Sequence, residues 1–411
     1  MTALEDLMRD EWGRLLALLV ARFRRLDLAE DGLADAFEAA ARTWPRDGVP
    51  ANGPAWLLTA ARRRVLDRLR SEQVLARSMP LLEVEADLAA RARRVMADAD
   101  EPLTDERLRL VLLCAHTRLS HEAAAALTLR LVLGVPTADV ARLFLQSTPT
   151  MAARLTRARK KLAGERFALP DGQELVDRLR VAADVAYLAF TAGYTPATGD
   201  DVVRGDLAAE AVRLVRVVRE VRPSGDGDRA GARDALGLDA LLALVLLQHS
   251  RRDARVHDGA LVLLPDQDRS RWHQDEIAEA LDLLTPLATA PPTPYLLQAL
   301  VAAEHAIART ADATAWDRIL ARYDELLTLT DTPVVRLNRA VAVAEVAGPR
   351  AGLDALAGVA LPGHRLPALR AELLRRTGDT DGARRAYDAA LALCGHAAEH
   401  DHLRLRRAEL A

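Results

Sequence analysis

Arg62, Arg63, Arg64, Arg68 and Arg70 crowd one short stretch in which Trp56, Leu57, Leu58, Val65, Leu66 and Leu69 form an apolar series at helical spacing. Guanidinium groups on the remaining faces of such a helix suit the oxygens of a phosphate backbone. The helix follows a loop, Pro45 to Pro54, able to present atoms to an unstacked base. Taken alone, an arginine-rich helix is more often an ordinary solvated face. A second cationic helix further along the chain shifts the balance. There Thr148, Thr150, Arg154, Arg157, Lys160 and Lys161 form a polar face opposite Met151, Leu155, Ala158 and Leu162. A short helix from Thr137 to Phe144 and a turn at 145–148 come just before it. That order is the helix-turn-helix layout, in which hydroxyls and cations on the first turns of the second helix enter a major groove.

The elements that hold these residues read as helices throughout. Apolar residues recur at helical spacing from Trp12 to Leu26 and again from Leu28 to Trp44. The prolines and glycines of Pro45 to Pro54 are expected to form a shaped loop, and a third helix to start near Pro54. Residues 73–103 are polar and alanine-rich and read as a flexible linker. Thr104 is placed to cap a helix running through Leu113, and Ser120 opens another to about Leu133, ahead of a break at Gly134 to Pro136. Beyond Leu169 the chain continues as long amphipathic helices separated by Pro and Gly breaks. Near its end, Ala368 to Thr377, Gly378 and then Ala383, Tyr387 and Ala390 are spaced as in a tetratricopeptide-like helical hairpin. A looser copy runs from Trp316 to Ala340.

Composition supports an all-α fold: 50% of the 411 residues are hydrophobic but only 4% are aromatic, which favours helix packed on helix. A net charge of -3 argues against a chain that coats nucleic acid along its whole length, so the basic helices must act locally. Cys114 and Cys394 lie far apart in apolar runs and are expected to be reduced core residues of a cytoplasmic protein. The acidic start lacks the pattern of a secretion signal, and no membrane association is expected. His116, His121, His249, His257, His273 and His305 show no ligand spacing with Cys or carboxylates, so no metal and no cofactor are expected. Asp266, Asp268, Arg269, Arg271 and Trp272 could mimic a catalytic cluster. A buried charge network fixing a helix junction is the better expectation, and no enzymatic chemistry is assigned.

In order and spacing, the first part of the chain resembles the extracytoplasmic-function (group IV) sigma factors of the sigma-70 family. The acidic run Asp27 to Phe37 resembles the region 2 helix pair that docks on the clamp helices of the β′ subunit of RNA polymerase. The resemblance thus implies Asp27, Glu30, Asp31, Asp35 and Phe37 as polymerase contacts. Trp44-Pro45 through Arg70 resembles the part of region 2 that melts and reads the minus-ten element, which implies Asn52, Trp56 and Arg62, Arg63, Arg64, Arg68 and Arg70 as contacts to the opened strand. Asp105 through Lys161 resembles region 4, whose last helix reads the minus-thirty-five element. The remainder resembles the subgroup with a tetratricopeptide-like extension, through Ala186 to Tyr194, Asp266 to Trp272, Pro294 to Ala299 and Leu337 to Ala342. Thr191-Ala192-Gly193-Tyr194 departs from the subgroup's Asn-Glu-Gly-Tyr, and Ala115-His116-Thr117 from its Cys-His-Pro. The implied organisation is region 2 at 1–72, linker at 73–103, region 4 at 104–168 and a helical-repeat extension at 169–411. The implied partners are core RNA polymerase and promoter DNA, with the extension contacting the sigma domains or a separate protein. The rival expectation is a helical-repeat scaffold without promoter recognition.

Overall fold

A computed structural model describes residues 3–75, 101–144, 146–162, 165, 167, 169–194, 205–220, 229–257 and 260–410. Most of the expected linker therefore lies outside the described residues. By contact the chain divides into two compact units, Met1–Leu188 and Ala189–Ala411.

The first unit contains α1 (Ala3–Phe23), α2 (Leu26–Asp47), α3 (Gly53–Leu75), α4 (Glu101–Cys114), α5 (His121–Leu131), α6 (Thr137–Leu143), α7 (Thr148–Leu162) and the start of α8 (Gly172–Tyr194). Its core is built by the predicted stripes: Trp12, Leu15, Leu16 and Leu19 of α1 meet Leu33 and Phe37 of α2 and Leu57 and Val65 of α3, all buried. The α1 helix also packs on α4 and α5, which joins the first three helices to the later ones. Two boundaries differ from expectation. Helix α2 continues through Pro45 to Asp47 before Gly48, at φ 86°, ends it. A proline so close to the C-terminus disturbs only the last turn, and the loop proper is therefore shorter than its prolines imply. Helix α4 begins at Glu101, ahead of Thr104, so Thr104 is a helical residue and not the cap.

The α1–α5 contact depends on Gly13. A Cβ there would lie 2.1 Å from the carbonyl oxygen of Val132, closer than atoms can approach. Gly13→Ala is expected to lower stability by about 1–3 kcal/mol by forcing the helices apart. Urea denaturation would measure it, and an unchanged midpoint would show that the contact yields freely.

The second unit holds the end of α8, then α9 (Gly205–Glu220), α10 (Arg229–His249), α11 (Gln274–Leu284), α12 (Pro294–Ile307), α13 (Trp316–Leu329), α14 (Pro333–Ala347), α15 (Pro349–Ala355), α16 (Arg365–Thr377), α17 (Thr380–Leu393) and α18 (Ala397–Ala408). Leu238 and Ala240 through Leu247 are buried on every side, which makes α10 the central helix against α9, α11 and α12. Helices α12 and α14 start alike: Thr293 and Thr332 accept the N–H of Leu296 and Val335, and a proline occupies the first turn of each. From α12 onward consecutive helices pack on one another, and Gly378 closes α16 in the left-handed conformation at φ 83°. The fold is all-α. The strands among the described residues are β1 (Val256–His257) and β2 (Ala260–Leu261), an antiparallel pair.

The motif Asp266 to Trp272 is only partly the buried network expected of it. Asp266, Asp268 and Arg271 are exposed, and Asp268 accepts hydrogen bonds from the backbone N–H and hydroxyl of Ser270. Arg269 goes inward. It donates to the carbonyls of His305 (2.6 Å) and Ala308 (2.8 Å) at the end of α12, with its guanidinium 4.5 Å from the ring centre of buried Trp272. A cation at the C-terminus of a helix satisfies orphan carbonyls and the helix dipole together.

His305, on that same last turn, is pulled from 6.5 down to about 4, first by burial and then by the charges of Arg251 and Arg269. Between those values the unfolded chain binds a proton that the folded chain refuses. Stability is therefore expected to fall, by up to about 3 kcal/mol, as pH drops from about 6.5 towards 4, with no such slope above. Unfolding measured at pH 7 and pH 5 should display the drop, and His305→Gln should flatten it. A parallel pH dependence in the two proteins would rule this source out.

Candidate nucleic-acid interface

The helix-turn-helix forms as the spacing predicts. Ser120 caps α5 by accepting the N–H of Ala123, α6 is short, and α7 buries Met151, Leu155, Ala158 and Leu162. That apolar face fixes which residues of α7 point outward. Thr148, Thr150, Arg157, Lys160 and Lys161 are exposed. Ser147 starts the helix, its hydroxyl 2.8 Å from that of Thr150. Arg154 is drawn back, half-buried and 2.8 Å from Glu122 of α5. The cationic face is therefore carried by Arg157, Lys160 and Lys161.

On α3, Arg63, Arg64 and Arg70 are exposed and Arg62 and Arg68 are half-buried. Arg68 bridges Asp31 (2.7 Å) and Asp35 (2.9 Å), tying α3 to α2. Asn52 is exposed, and its Oδ1 accepts the N–H of Ala55 at 2.9 Å, which caps α3. Trp56 is half-buried, edge-on to Trp44 at 5.5 Å. Loop, aromatic ring and basic helix thus adjoin.

The acidic residues do not form one surface. Asp27 is exposed and pairs with Arg25 at 2.8 Å, a hydrogen bond that holds its carboxyl below the usual range. Asp31 is exposed and Asp35 half-buried, both on Arg68. Glu30 and Phe37 point the other way. Phe37 is 5% exposed against Trp12, at a ring distance of 5.7 Å. Glu30 is 6% exposed and accepts from two helices of the second half of the unit, Arg159 of α7 at 2.7 Å and Arg130 of α5 at 3.3 Å. A buried carboxylate needs such partners. Arg130 also lies over Trp12, 4.9 Å from the ring centre.

Sequence reasoning missed Arg159. The signal was present in α2, where Glu30 shares the stripe of Leu33, Phe37, Ala40 and Trp44, so a carboxylate on the buried face demanded a cation from elsewhere. Beside this pair lies a cleft of about 580 Å³ lined by residues that include Arg24, Arg25, Asp27, Asp31, Thr156 and Lys160.

Of the cysteines, Cys114 is fully buried and its thiol is pushed far up by burial, whereas Cys394 is only half-buried. The expectation holds in part for Cys394, which packs from the edge against the core of Ala371, Tyr387, Ala390 and Leu403, at the end of α17 beside His364 and Glu399.

A helix-turn-helix with a cationic outer face on α7 marks the class as DNA-binding. Residues 109–162 match the family model Sigma-70, region 4, and residues 178–288 match that of a family of unknown function, DUF6596. The chain is 38% identical over 407 residues to an uncharacterized protein of Rhizobium meliloti (strain 1021), across 96% of this chain and 93% of that one. No solved structure matches. The chain belongs to the family of that Rhizobium protein and carries a segment, residues 109–162, that matches region 4 of the sigma-70 factors.

Proposed function

We propose that this protein is a sigma factor of the extracytoplasmic-function group, which brings core RNA polymerase to particular promoters and opens them. The observation that carries the reading is the outer face of α7, where Thr148, Thr150, Arg157, Lys160 and Lys161 stand exposed on a region 4 helix-turn-helix. In this reading α7 enters the major groove of the minus-thirty-five element, with Arg154 joining once it leaves Glu122. The minus-ten strand is held by Asn52, Trp56 and the cations of α3, Arg62, Arg63, Arg64, Arg68 and Arg70. Unstacking costs a few kcal/mol per step, offset by the aromatic and phosphate contacts and by polymerase itself. Asp27, Asp31 and Asp35 meet the basic clamp helices of polymerase, while Glu30 and Phe37 contribute by holding α2 in shape. No hydrolytic step is required of the chain.

The two recognition elements lie roughly 25 base pairs apart, or about 85 Å at ~3.4 Å per pair. The Glu30–Arg159 contact must therefore break before both are engaged. The chain from residue 169 onward acts as a tetratricopeptide-like extension that regulates the sigma domains or binds a protein partner, and the protein works in the cytoplasm. No helix among the described residues is long and apolar enough to cross a membrane.

Run-off transcription with purified core polymerase on promoters selected from genomic fragments tests the reading. The expected result is a stable holoenzyme and discrete transcripts that are lost in the Arg63→Glu/Arg64→Glu variant. Failure to join core polymerase would favour the scaffold alternative.

A further inference from the structure

We infer that His364, Cys394 and Glu399 form a zinc site that clamps the last three helices of the chain together. His364 immediately precedes α16, Cys394 follows the last residue of α17, and Glu399 lies in the first turn of α18. Three separate helix ends thus bring an imidazole nitrogen, a thiol sulfur and a carboxylate oxygen within 4.8 Å of one another. Zinc bonds of ~2.0–2.3 Å in tetrahedral array place ligand atoms roughly 3.3–3.7 Å apart. His364 Nε2 and Glu399 Oε2, now 2.7 Å apart, would move slightly outward to reach that spacing.

The surroundings are organised as well. His396, 2% exposed, accepts the N–H of Glu399 on its Nδ1 at 3.3 Å, and its carbonyl accepts the Cys394 thiol at 3.5 Å. His396 thus fixes the start of α18, the turn that carries Glu399, and the bond from the thiol to its carbonyl is exchanged for the metal when the thiolate forms. The ligands are half-buried, so ion and water can reach them, and the water would take the fourth position. A sulfur–nitrogen–oxygen set selects zinc over magnesium or calcium. On binding, the Cys394 proton passes to solvent and the thiolate bonds the metal.

Full-length protein stripped with chelator would be titrated with Zn²⁺ against a chromophoric competitor, and with Co²⁺ as a spectroscopic probe. One equivalent of metal should bind, with a thiolate-to-cobalt charge-transfer band. Cys394→Ser should abolish the band, and both it and His364→Ala should weaken zinc at least tenfold. Zinc should also raise the Tm of the unaltered chain by several degrees and leave both variants unmoved. Absence of the cobalt band in the unaltered protein overturns the proposal whatever the fate of the variants. So does zinc binding of equal strength in the unaltered and substituted chains, which would mean adventitious binding elsewhere.

Discussion

Replacing Arg157 by Glu is expected to weaken promoter binding roughly 10- to 100-fold, the equivalent of about 1.4–2.8 kcal/mol. Arg157 is exposed on the outer face of α7, and its described side-chain bond runs along the helix to the Ala153 carbonyl. Reversal there changes the charge offered to DNA and leaves the buried face of Met151, Leu155, Ala158 and Leu162 untouched. Arg154 is the less informative position, because Arg154→Glu would also break its pair with Glu122 and set two carboxylates side by side. Fluorescence anisotropy on a promoter fragment at several salt concentrations is the measurement. A contact to phosphate should lower the salt slope by about 1, whereas a contact to a base should relax sequence preference with the slope little changed. Unaltered affinity and transcription would remove α7 as the reading helix.

Glu30→Gln carries the second large effect. Its carboxylate is the buried acceptor between Arg130 and Arg159, and removing the charge leaves two guanidinium groups facing one another in a poorly solvated space. Breaking a buried pair from one side typically costs about 3 kcal/mol or more. The loss should appear as earlier urea unfolding and as faster amide exchange along α2 and α7. A double-mutant cycle with Arg159→Gln isolates the contact, and a coupling of about 1–3 kcal/mol is expected. Additivity within about 0.5 kcal/mol would mean that the contact adds nothing to the packing of the two halves. Under the proposed function, the same variant should need less energy to part those halves on polymerase.

How far the sequence could be read depended on whether a residue's partner lay on its own element. The helix-turn-helix boundaries and the buried face of α7 were legible because a local period of apolar residues defines them. The end of α2 was not, since Pro45 near a C-terminus is tolerated where mid-helix it is not. The family resemblance grouped Glu30 with Asp27, Asp31 and Asp35, although its place on the stripe with Leu33 and Phe37 marked it as inward. The partner, Arg159, is remote in sequence and no periodicity announces it. The cluster of His364, Cys394 and Glu399 was hidden for the same reason, since its ligands come from three helix ends. Arg269 shows the converse, a motif legible as important whose task, closing the end of α12, only the fold reveals.

Trp12 is fully enclosed, with Phe37 on one side and the Arg130 guanidinium over its ring. Phe37 belongs to the first three helices and Arg130 to the later ones, so the indole sits at the seam the two halves share. If the seam parts as the proposed function requires, the indole loses both neighbours and meets water, and the resulting shift in emission is isolated by comparison with Trp12→Phe, since the chain carries four further tryptophans.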